Sequence, residues 1–238
     1  LSIPWHLDWT EVTRVWELGL RGEGIVVAGA DTGIQWDHPA LMYQYRGYEA
    51  NSGDVDHNYN WWDAVHGNHK PNPCGFNSPE PCDDRGHGTH TIGSVIGDDH
   101  SSQQIGVAPR AKWIGCRNMD SGLGSTSKFV ECLQFFIAPT DINGENPQPS
   151  KRPHIITSSY GCPLERCEDL SLLHDAVSNI ISAGIFITAA TGNTGPACGT
   201  IDTPPAVYSE SFTVGAGDYK TNTIARFSSR GPIRDNSD

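Results

Sequence analysis

Near its amino terminus the chain reads Gly24-Ile-Val-Val-Ala-Gly-Ala30, and Asp31-Thr-Gly33 follows this run directly. A short run of β-branched and small residues without polar interruption is typical of a strand that is buried on both faces. In open α/β sheets, reactive side chains collect just beyond the carboxyl ends of such strands. An isolated Asp after a strand more commonly caps the next turn, so Asp31 is a candidate functional residue only with support from other segments.

Strand and helix patterns alternate along most of the chain. Four further short strands are predicted at Lys112–Cys116, His154–Thr157, Ile185–Ala189 and Phe212–Val214. Apolar residues at helical spacing lie between them, from Phe129 to Phe136 and from Leu170 to Ile181. This alternation predicts an α/β fold with a mostly parallel central sheet that is flanked by helices.

Residues 43–85 break this alternation. From Gly47 to Arg85 the sequence contains many Asn, Asp, His, Pro and Trp residues and shows little periodicity. A long stretch of this kind predicts an irregular surface insertion within one domain that spans residues 1–238.

The composition argues against two classes of partner. The 238 residues include 16 Lys and Arg against 28 Asp and Glu, which gives a net charge of −12. Such an acidic surface repels phosphate backbones and anionic lipid, so we expect no nucleic-acid partner and no membrane partner. The longest nearly apolar stretch, Ile180 to Ala190, has 11 residues. A membrane-spanning helix needs about 20.

Seven cysteines indicate an oxidising compartment, so we expect a secreted, extracellular protein with disulfide bonds. Because the number is odd, one cysteine is free or pairs outside the chain. The expected pairs are Cys74 with Cys82, Cys116 with Cys132, and Cys167 with Cys198. The chain begins at Leu1 without a basic-then-apolar leader, which leaves open whether a leader or the propeptide of a zymogen has been removed.

Two more segments carry residue types that are suited to catalysis. Gly86-His-Gly-Thr-His90 begins a pattern of small and apolar residues that predicts a buried helix, with His87 at its start. His87 could simply cap this helix, or could form a weak metal pair with His90, for which no third ligand is suggested. Asn193 follows the strand Ile185–Ala189, where an Asn can be a turn residue or can donate its amide to an oxyanion.

In their order along the chain, these segments resemble the subtilase family of serine endopeptidases. The matching segments are Val27–Ile34 with His38 and Pro39, Gly86–His90, Ser158–Gly161, Ala190–Asn193 and Phe227–Pro232. The long insertion, with Trp61-Trp-Asp-Ala64, most resembles the bacillopeptidase F-like branch of the family. The resemblance spans Trp5 to Pro232 and implies a subtilisin-like fold.

The resemblance implies hydrolysis of peptide bonds by an Asp-His-Ser triad. A serine hydroxyl is a poor nucleophile until a base removes its proton. His87 is the implied base, and Asp31 is the residue that orients its imidazole and stabilises the imidazolium. Asn193 is the implied donor to the tetrahedral oxyanion.

The resemblance also implies where a substrate binds. A protein or peptide substrate would lie as an extended strand between two rails, and pockets would sort its side chains. The rails consist of Ser121, Gly122 and Leu123 on one side and of Ser159, Tyr160 and Gly161 on the other. Tyr160 predicts a roomy but capped primary pocket that prefers apolar or aromatic side chains.

The nucleophile of the family lies in a Gly-Thr-Ser-Met-like segment, and no such segment occurs in residues 1–238. We therefore expect an incomplete peptidase domain whose serine is carried by a second chain or by a downstream segment. The chemistry requires no cofactor. Many family members bind structural calcium; Asp98 and Asp99 could bind a cation here, but solvated loop carboxylates are the simpler expectation, and we predict no metal ligands.

Two other functions stay open at this stage. A pseudopeptidase or binding module would keep the cleft and lack the nucleophile. An aspartic peptidase would use Asp31-Thr-Gly33 and Asp120-Ser-Gly122, because both match its Asp-Thr/Ser-Gly motif. That alternative conflicts with the predicted α/β fold and leaves His87 without a role.

Overall fold

The computed structural model of the chain describes residues 3–67, 71–101, 103–163 and 165–233. Its helices are α1 (Trp5–Trp9), α2 (Val12–Glu17), α3 (His87–Ile96), α4 (Thr126–Ile137) and α5 (Leu170–Ser182). Its strands are β1 (Val26–Asp31), β2 (Tyr48–Glu49), β3 (Asp54–Val55), β4 (Trp61–Asp63), β5 (Lys112–Arg117), β6 (Ile155–Ser158), β7 (Phe186–Ala190), β8 (Phe212–Val214), β9 (Gly217–Asp218) and β10 (Thr223–Ile224). None of the described helices is both long enough and apolar enough to span a bilayer.

Strand β1 lies inside a six-stranded sheet with the order β4-β5-β1-β6-β7-β8, and every neighbouring pair is parallel. Asp31 at the end of β1 is in register with Arg117 of β5, and Ala30 is in register with Ser158 of β6. The strands therefore end at one edge of the sheet, which places Asp31 beside the loops that follow β5 and β6. The predicted α/β fold with a mostly parallel sheet is confirmed.

Helices cover both faces of the sheet. Helices α4 and α5 pack over a core that contains Ala28 of β1 and Phe136 of α4. On the other face, α3 packs over a core that contains Val27 of β1 and Ile92 of α3. Because successive residues of a strand point to opposite faces, β1 must be apolar at consecutive positions, as its sequence is.

The insertion at residues 43–85 differs from its prediction. Within it, Trp61–Asp63 form β4, which extends the central sheet beside β5, and the Trp61 ring is fully buried. Gly115 of β5 is in register with Trp61, and a Cβ at Gly115 would lie 3.2 Å from the indole ring. The expectation of a surface excursion is therefore wrong for this segment, because the polar residues around Trp61–Asp63 conceal a short strand.

The disulfide bonds among the described residues are Cys74–Cys82, Cys116–Cys132 and Cys162–Cys167. The first two confirm predicted pairs, whereas the predicted bond between Cys167 and Cys198 is wrong. Cys162 and Cys167 lie on one turn, in which the amide of Cys167 donates to the Pro163 carbonyl, and their Cα atoms are 5.6 Å apart. Cys198 is exposed and forms no disulfide bond with the described part of the chain.

Candidate active site

Asp31 and His87 meet at the carboxyl edge of the sheet. Asp31 ends β1 with its side chain 2% exposed, and His87 begins α3 with its side chain 48% exposed. Nδ1 of His87 donates to Oδ1 of Asp31 at 2.7 Å, the hydrogen bond that the sequence predicts. The Asp31 carboxylate also accepts the backbone N–H of Thr32 at 2.7 Å, which fixes its orientation. Nε2 of His87 has no hydrogen-bond partner within the described residues.

The surroundings of His87 favour its protonated form. The hydrogen bond to Asp31 is the largest cause that raises the pKa of His87, and the negative charges of Asp31 and Asp83 act in the same direction. Partial burial and the positive charge of Arg85 oppose this shift without cancelling it. An imidazole in this setting takes up a proton readily, as a general base must.

Glycines allow α3 to touch the end of β1. A Cβ at Gly88 would lie 2.0 Å from the carbonyl oxygen of Gly33 and 2.9 Å from Cβ of Asp31. Gly33 has a φ of +105°, and a Cβ there would lie 1.8 Å from the carbonyl oxygen of Cys82. The glycines of the two motifs therefore bring the imidazole within reach of the carboxylate.

Asp83, which was not predicted from the sequence, joins the end of β1 to the start of α3. Its Oδ1 accepts the Thr32 hydroxyl at 2.8 Å and the backbone amides of Arg85 and Gly86 at 3.0 and 2.8 Å. Its Oδ2 accepts the Thr89 amide at 2.8 Å and the Thr89 hydroxyl at 2.6 Å. The signal in the sequence was an Asp shortly before a helix, a residue type that satisfies free amides at helix starts.

These contacts also set the ionisation of Asp83. Burial alone would raise the pKa of Asp83, but the hydrogen bonds from Thr89, Arg85 and Thr32 outweigh burial and lower it. Asp83 is therefore a charged anchor for the segment that carries His87.

A second missed group is a buried ion network under the same edge of the sheet. Arg117 at the end of β5 is fully buried and forms two hydrogen bonds with Asp63, at 2.9 and 2.8 Å. It also lies 3.5 Å from Asp84, whose side chain is buried as well. Asn72 donates to Asp84 and to Asp120 at 2.5 Å. The network ties the insertion to the turn after β5.

A cleft of about 290 Å³ adjoins His87. Its lining consists of Thr32, Arg85, His87, Met119, Gly122, Ser159, Tyr160 and Gly161. Ser121 and Leu123 flank Gly122 in the turn after β5, where Asp120 and Leu123 are bridged. The Tyr160 ring is buried and stacks on Phe129 with centroids 4.4 Å apart. The ring thus packs in the core, and the residues of both predicted rails lie in or next to the cleft.

Asn193 lies in the loop after β7, two strands away from β1 in the sheet. It is exposed, and its side chain forms no hydrogen bond with the described residues. The neighbouring backbone is held by Ser229, whose amide donates to the Gly192 carbonyl and whose hydroxyl accepts the Thr194 amide. The structure thus joins Asp31 with His87 directly and places Asn193 separately at the same edge. The Phe227–Pro232 segment supports the Asn193 loop.

Two alternatives from the sequence concern a cation at the loop carboxylates and an aspartic peptidase site. Within the described ranges, no group of three or more His, Cys, Asp or Glu residues is placed to hold a metal ion. Oδ1 of Asp98 accepts the amide of His100, as in an ordinary loop turn. Asp120 hydrogen-bonds to Asn72 and Ser121 and does not meet Asp31, so the paired carboxylates of an aspartic peptidase are not formed.

A wider groove of about 1040 Å³ runs along α3 on the side away from the sheet. His90, Gly93 and Ser94 of α3 form part of its lining, together with Trp5 of α1 and residues 215–216 after β8. The groove is mainly apolar and lies next to the start of the helix that carries His87.

A model of the subtilase family matches residues 22–236 of the chain. Bacillopeptidase F of Bacillus subtilis (strain 168) is 37% identical over 239 residues, which cover 97% of this chain. Serine protease AprX and Minor extracellular protease Epr of the same strain are 34% and 30% identical over 90% and 95% of the chain. The chain spans 15%, 44% and 28% of the lengths of these three proteins.

Proposed function

The chain belongs to the subtilase family, and from this membership we propose that it is part of a serine endopeptidase that hydrolyses proteins or peptides. The observation that carries the proposal is the 2.7 Å hydrogen bond between His87 and Asp31 beside an open cleft. In this arrangement one ring nitrogen is held by a buried carboxylate, and the other is available to a reacting group.

In the proposed reaction, Nε2 of His87 removes the proton of a serine hydroxyl as its oxygen attacks the scissile carbonyl carbon. The imidazolium then returns this proton to the leaving amine, and water releases the acyl group by the same route in reverse. Asp31 keeps the proton on Nδ1 and stabilises the imidazolium through its charge. Its burial supports this role, because a charge acts more strongly where water is excluded.

Asn193 is the proposed donor to the oxyanion of the tetrahedral intermediate. Its amide is exposed and free of partners within the described chain, so it can donate to a bound substrate. A single side-chain donor of this kind contributes about 10²–10³-fold in rate.

We place the reacting serine on a segment outside residues 1–238, because no Gly-Thr-Ser-Met-like segment occurs within them. We propose that this segment binds in the groove along α3. Gly93 supports this placement, because a Cβ there would have no atom within 4 Å, so the face of the helix is open.

The substrate is proposed to lie extended between the turn at Ser121, Gly122 and Leu123 and the segment at Ser159, Tyr160 and Gly161. Main-chain hydrogen bonds would hold it, and its side chains would enter pockets on alternate sides. Met119 and Tyr160 both contribute to the lining of the cleft, which supports a preference for apolar or aromatic side chains in the primary pocket. The disulfide bonds support secretion, since such bonds persist in oxidising compartments.

The test measures hydrolysis of internally quenched peptides by residues 1–238 alone and by the polypeptide that also contains the downstream segment. We expect hydrolysis only by the longer polypeptide, inhibited by a serine-directed phosphonate and not by a pepstatin-like compound. His87→Ala should lower kcat by about 10⁴–10⁶-fold. Arg152→Gln, an exposed change before β6, is the matched control.

Two outcomes would favour the other candidates. Robust hydrolysis by residues 1–238 alone, free of contaminating protease, would contradict the proposal that a serine outside these residues is the nucleophile. Binding of peptides without hydrolysis by the longer polypeptide would favour a pseudopeptidase or binding module.

A further inference from the structure

Arg85 lines the same cleft as His87. Its side chain extends along the turn after β5, where Nη1 donates to the carbonyl oxygen of Ser121 at 3.4 Å. Cδ and Nε of Arg85 lie 3.4 and 3.5 Å from the position that a Cβ on Gly122 would occupy. The Arg85 side chain therefore packs along the Gly122 turn at ordinary contact distance, with its guanidinium at the wall of the cleft.

The positive charge of Arg85 has no carboxylate partner among the described residues. The adjacent Asp83 accepts five hydrogen bonds from other groups, and Asp84 lies against the buried Arg117. Asp120, in the turn that Arg85 contacts, accepts hydrogen bonds from two other side chains. The oxygens of these three acids are thus occupied by other groups, and Arg85 lines the cleft without an ion-pair partner in the described part of the chain.

We propose that Arg85 directs this peptidase toward substrates with an Asp or Glu side chain close to the cleaved bond. The inference rests on the proposed function and names its substrate class. An exposed guanidinium whose remaining N–H groups are free is suited to a carboxylate, which it binds through two parallel hydrogen bonds. The Ser121 carbonyl already holds one nitrogen, so the side chain is partly ordered before a substrate arrives.

The acidic side chain belongs to a different substrate residue from the one in the primary pocket. Side chains of an extended peptide alternate between two sides. The proposed primary pocket lies at Ser159, Tyr160 and Gly161, whereas Arg85 contacts the turn at Gly122, on the other proposed rail. A favoured substrate therefore combines an apolar or aromatic residue with a nearby acidic one.

The test uses the polypeptide that contains the serine segment and a set of internally quenched peptides. Each peptide carries Glu, Gln or Lys at one position, so that Glu and Gln differ in charge and hardly in shape. We expect the wild type to cleave the Glu peptide about 3- to 10-fold better than the Gln peptide, as measured by kcat/KM, at one position. This ratio should fall as the ionic strength rises, because salt screens the pair.

The variants separate a charge effect from a structural one. Arg85→Gln should bring the ratio of kcat/KM for Glu and Gln peptides to about one, and Arg85→Glu should make the Lys peptide the preferred one. Arg152 is exposed and, like Arg85, its guanidinium donates to one backbone carbonyl. Arg152→Gln removes the same charge and should keep the wild-type ratio of kcat/KM for Glu and Gln peptides.

The possible failures are distinguishable. Hydrolysis by the wild type with equal rates for Glu and Gln peptides at every position would overturn the role of Arg85 and leave the proposed function standing. An unchanged Glu-to-Gln ratio in Arg85→Gln would overturn it as well, since Arg85 would then only hold the turn. Failure to cleave any peptide would overturn the proposed function, and this inference with it.

Discussion

The ionisation of His87 depends on Asp31. Asp31→Asn removes the negative charge and the carboxylate acceptor, so we expect the pKa of His87 to fall from its raised value. NMR titration of the imidazole measures this shift, with His87→Gln to assign the signal. His90→Gln, one turn further along α3, is the matched control and should leave the pKa of His87 in place. An unchanged pKa in Asp31→Asn would contradict the assignment of Asp31.

The same pKa gives activity and stability opposite pH dependences. A general base must be neutral, so activity should decline as the pH drops through the raised pKa of His87. Stability has the reverse sign, because His87 gains a partner on folding. Its contribution is fully present below the unfolded pKa of about 6.5 and is lost as the pH rises through the folded value.

Asp83 is expected to stabilise the site through its five hydrogen bonds. In Asp83→Asn, an NH₂ group replaces one oxygen and faces the donors of either Thr89 or Thr32. We expect unfolding in urea to show a loss of about 1–3 kcal/mol. Asp141→Asn is the control, since Asp141 accepts the amides of Asn143 and Glu145 in an exposed loop and should cost less. Equal losses would show that Asp83 is an ordinary loop residue.

At this scale the sequence identified the residues that lie in motifs and missed those defined by distant contacts. Asp31 and His87 stand directly after a strand and at the start of a helix, so their meeting was predictable. Arg117 sits at the end of an apolar strand, and nothing local shows that Asp63, 54 residues earlier, will pair with it. Of Cys162, Cys167 and Cys198, the wrong two were expected to pair, because no sequence pattern shows that Cys162 and Cys167 come together.

Among the elements, the contact between α3 and β1 controls the geometry of the pair. In Gly88→Ala the new Cβ would meet the Gly33 carbonyl at 2.0 Å, so α3 must shift away from β1. Overpacking of this kind costs about 1–3 kcal/mol, and the shift should lower the pKa of His87 as its bond to Asp31 lengthens. Urea unfolding and NMR titration of residues 1–238 measure the two effects.

Gly93→Ala is the matched change on the same helix. A Cβ there has no neighbour within 4 Å, and alanine is the better helix former by about 1 kcal/mol. Equal or higher stability with an unchanged pKa of His87 is therefore expected. If Gly88→Ala behaved in the same way, the close approach of α3 to β1 would not be what holds His87.

The strands that the sequence predicted are runs of apolar and β-branched residues, including the three-residue β8 at Phe212–Val214. The runs at Gly24–Ala30, Lys112–Cys116 and His154–Thr157 correspond to β1, β5 and β6 within one or two residues. The short strand β4 was not predicted, because its place in the sheet depends on the pairing of Trp61 with Gly115. Tertiary pairing decides such short elements, and local propensity does not.

On the scale of the whole molecule, the β8 edge of the sheet is one of the places where large apolar side chains are exposed. Phe186 and Phe212 contact each other there with ring centroids 5.6 Å apart and remain 49% and 59% exposed. Val214 and Phe227 are also about half exposed. Exposed aromatic side chains that contact each other at the edge of a sheet are suited to being covered by another chain or segment. The proposed serine segment would cover this surface together with the groove along α3.

This assignment predicts how the downstream segment changes the molecule. We expect residues 1–238 alone to bind an apolar dye such as ANS. The longer polypeptide should bind less dye and unfold at a higher Tm, because burying the β8 edge and the groove removes apolar area from water. The longer polypeptide is prepared with its serine changed to alanine, so that self-digestion does not contribute. Phe212→Ser in residues 1–238 tests the location, since it should lower dye binding if the β8 edge is the dye site. Equal dye binding by both polypeptides, despite peptide hydrolysis by the active longer form, would show that the segment packs elsewhere on the molecule. The β8 edge would then be available to a different partner.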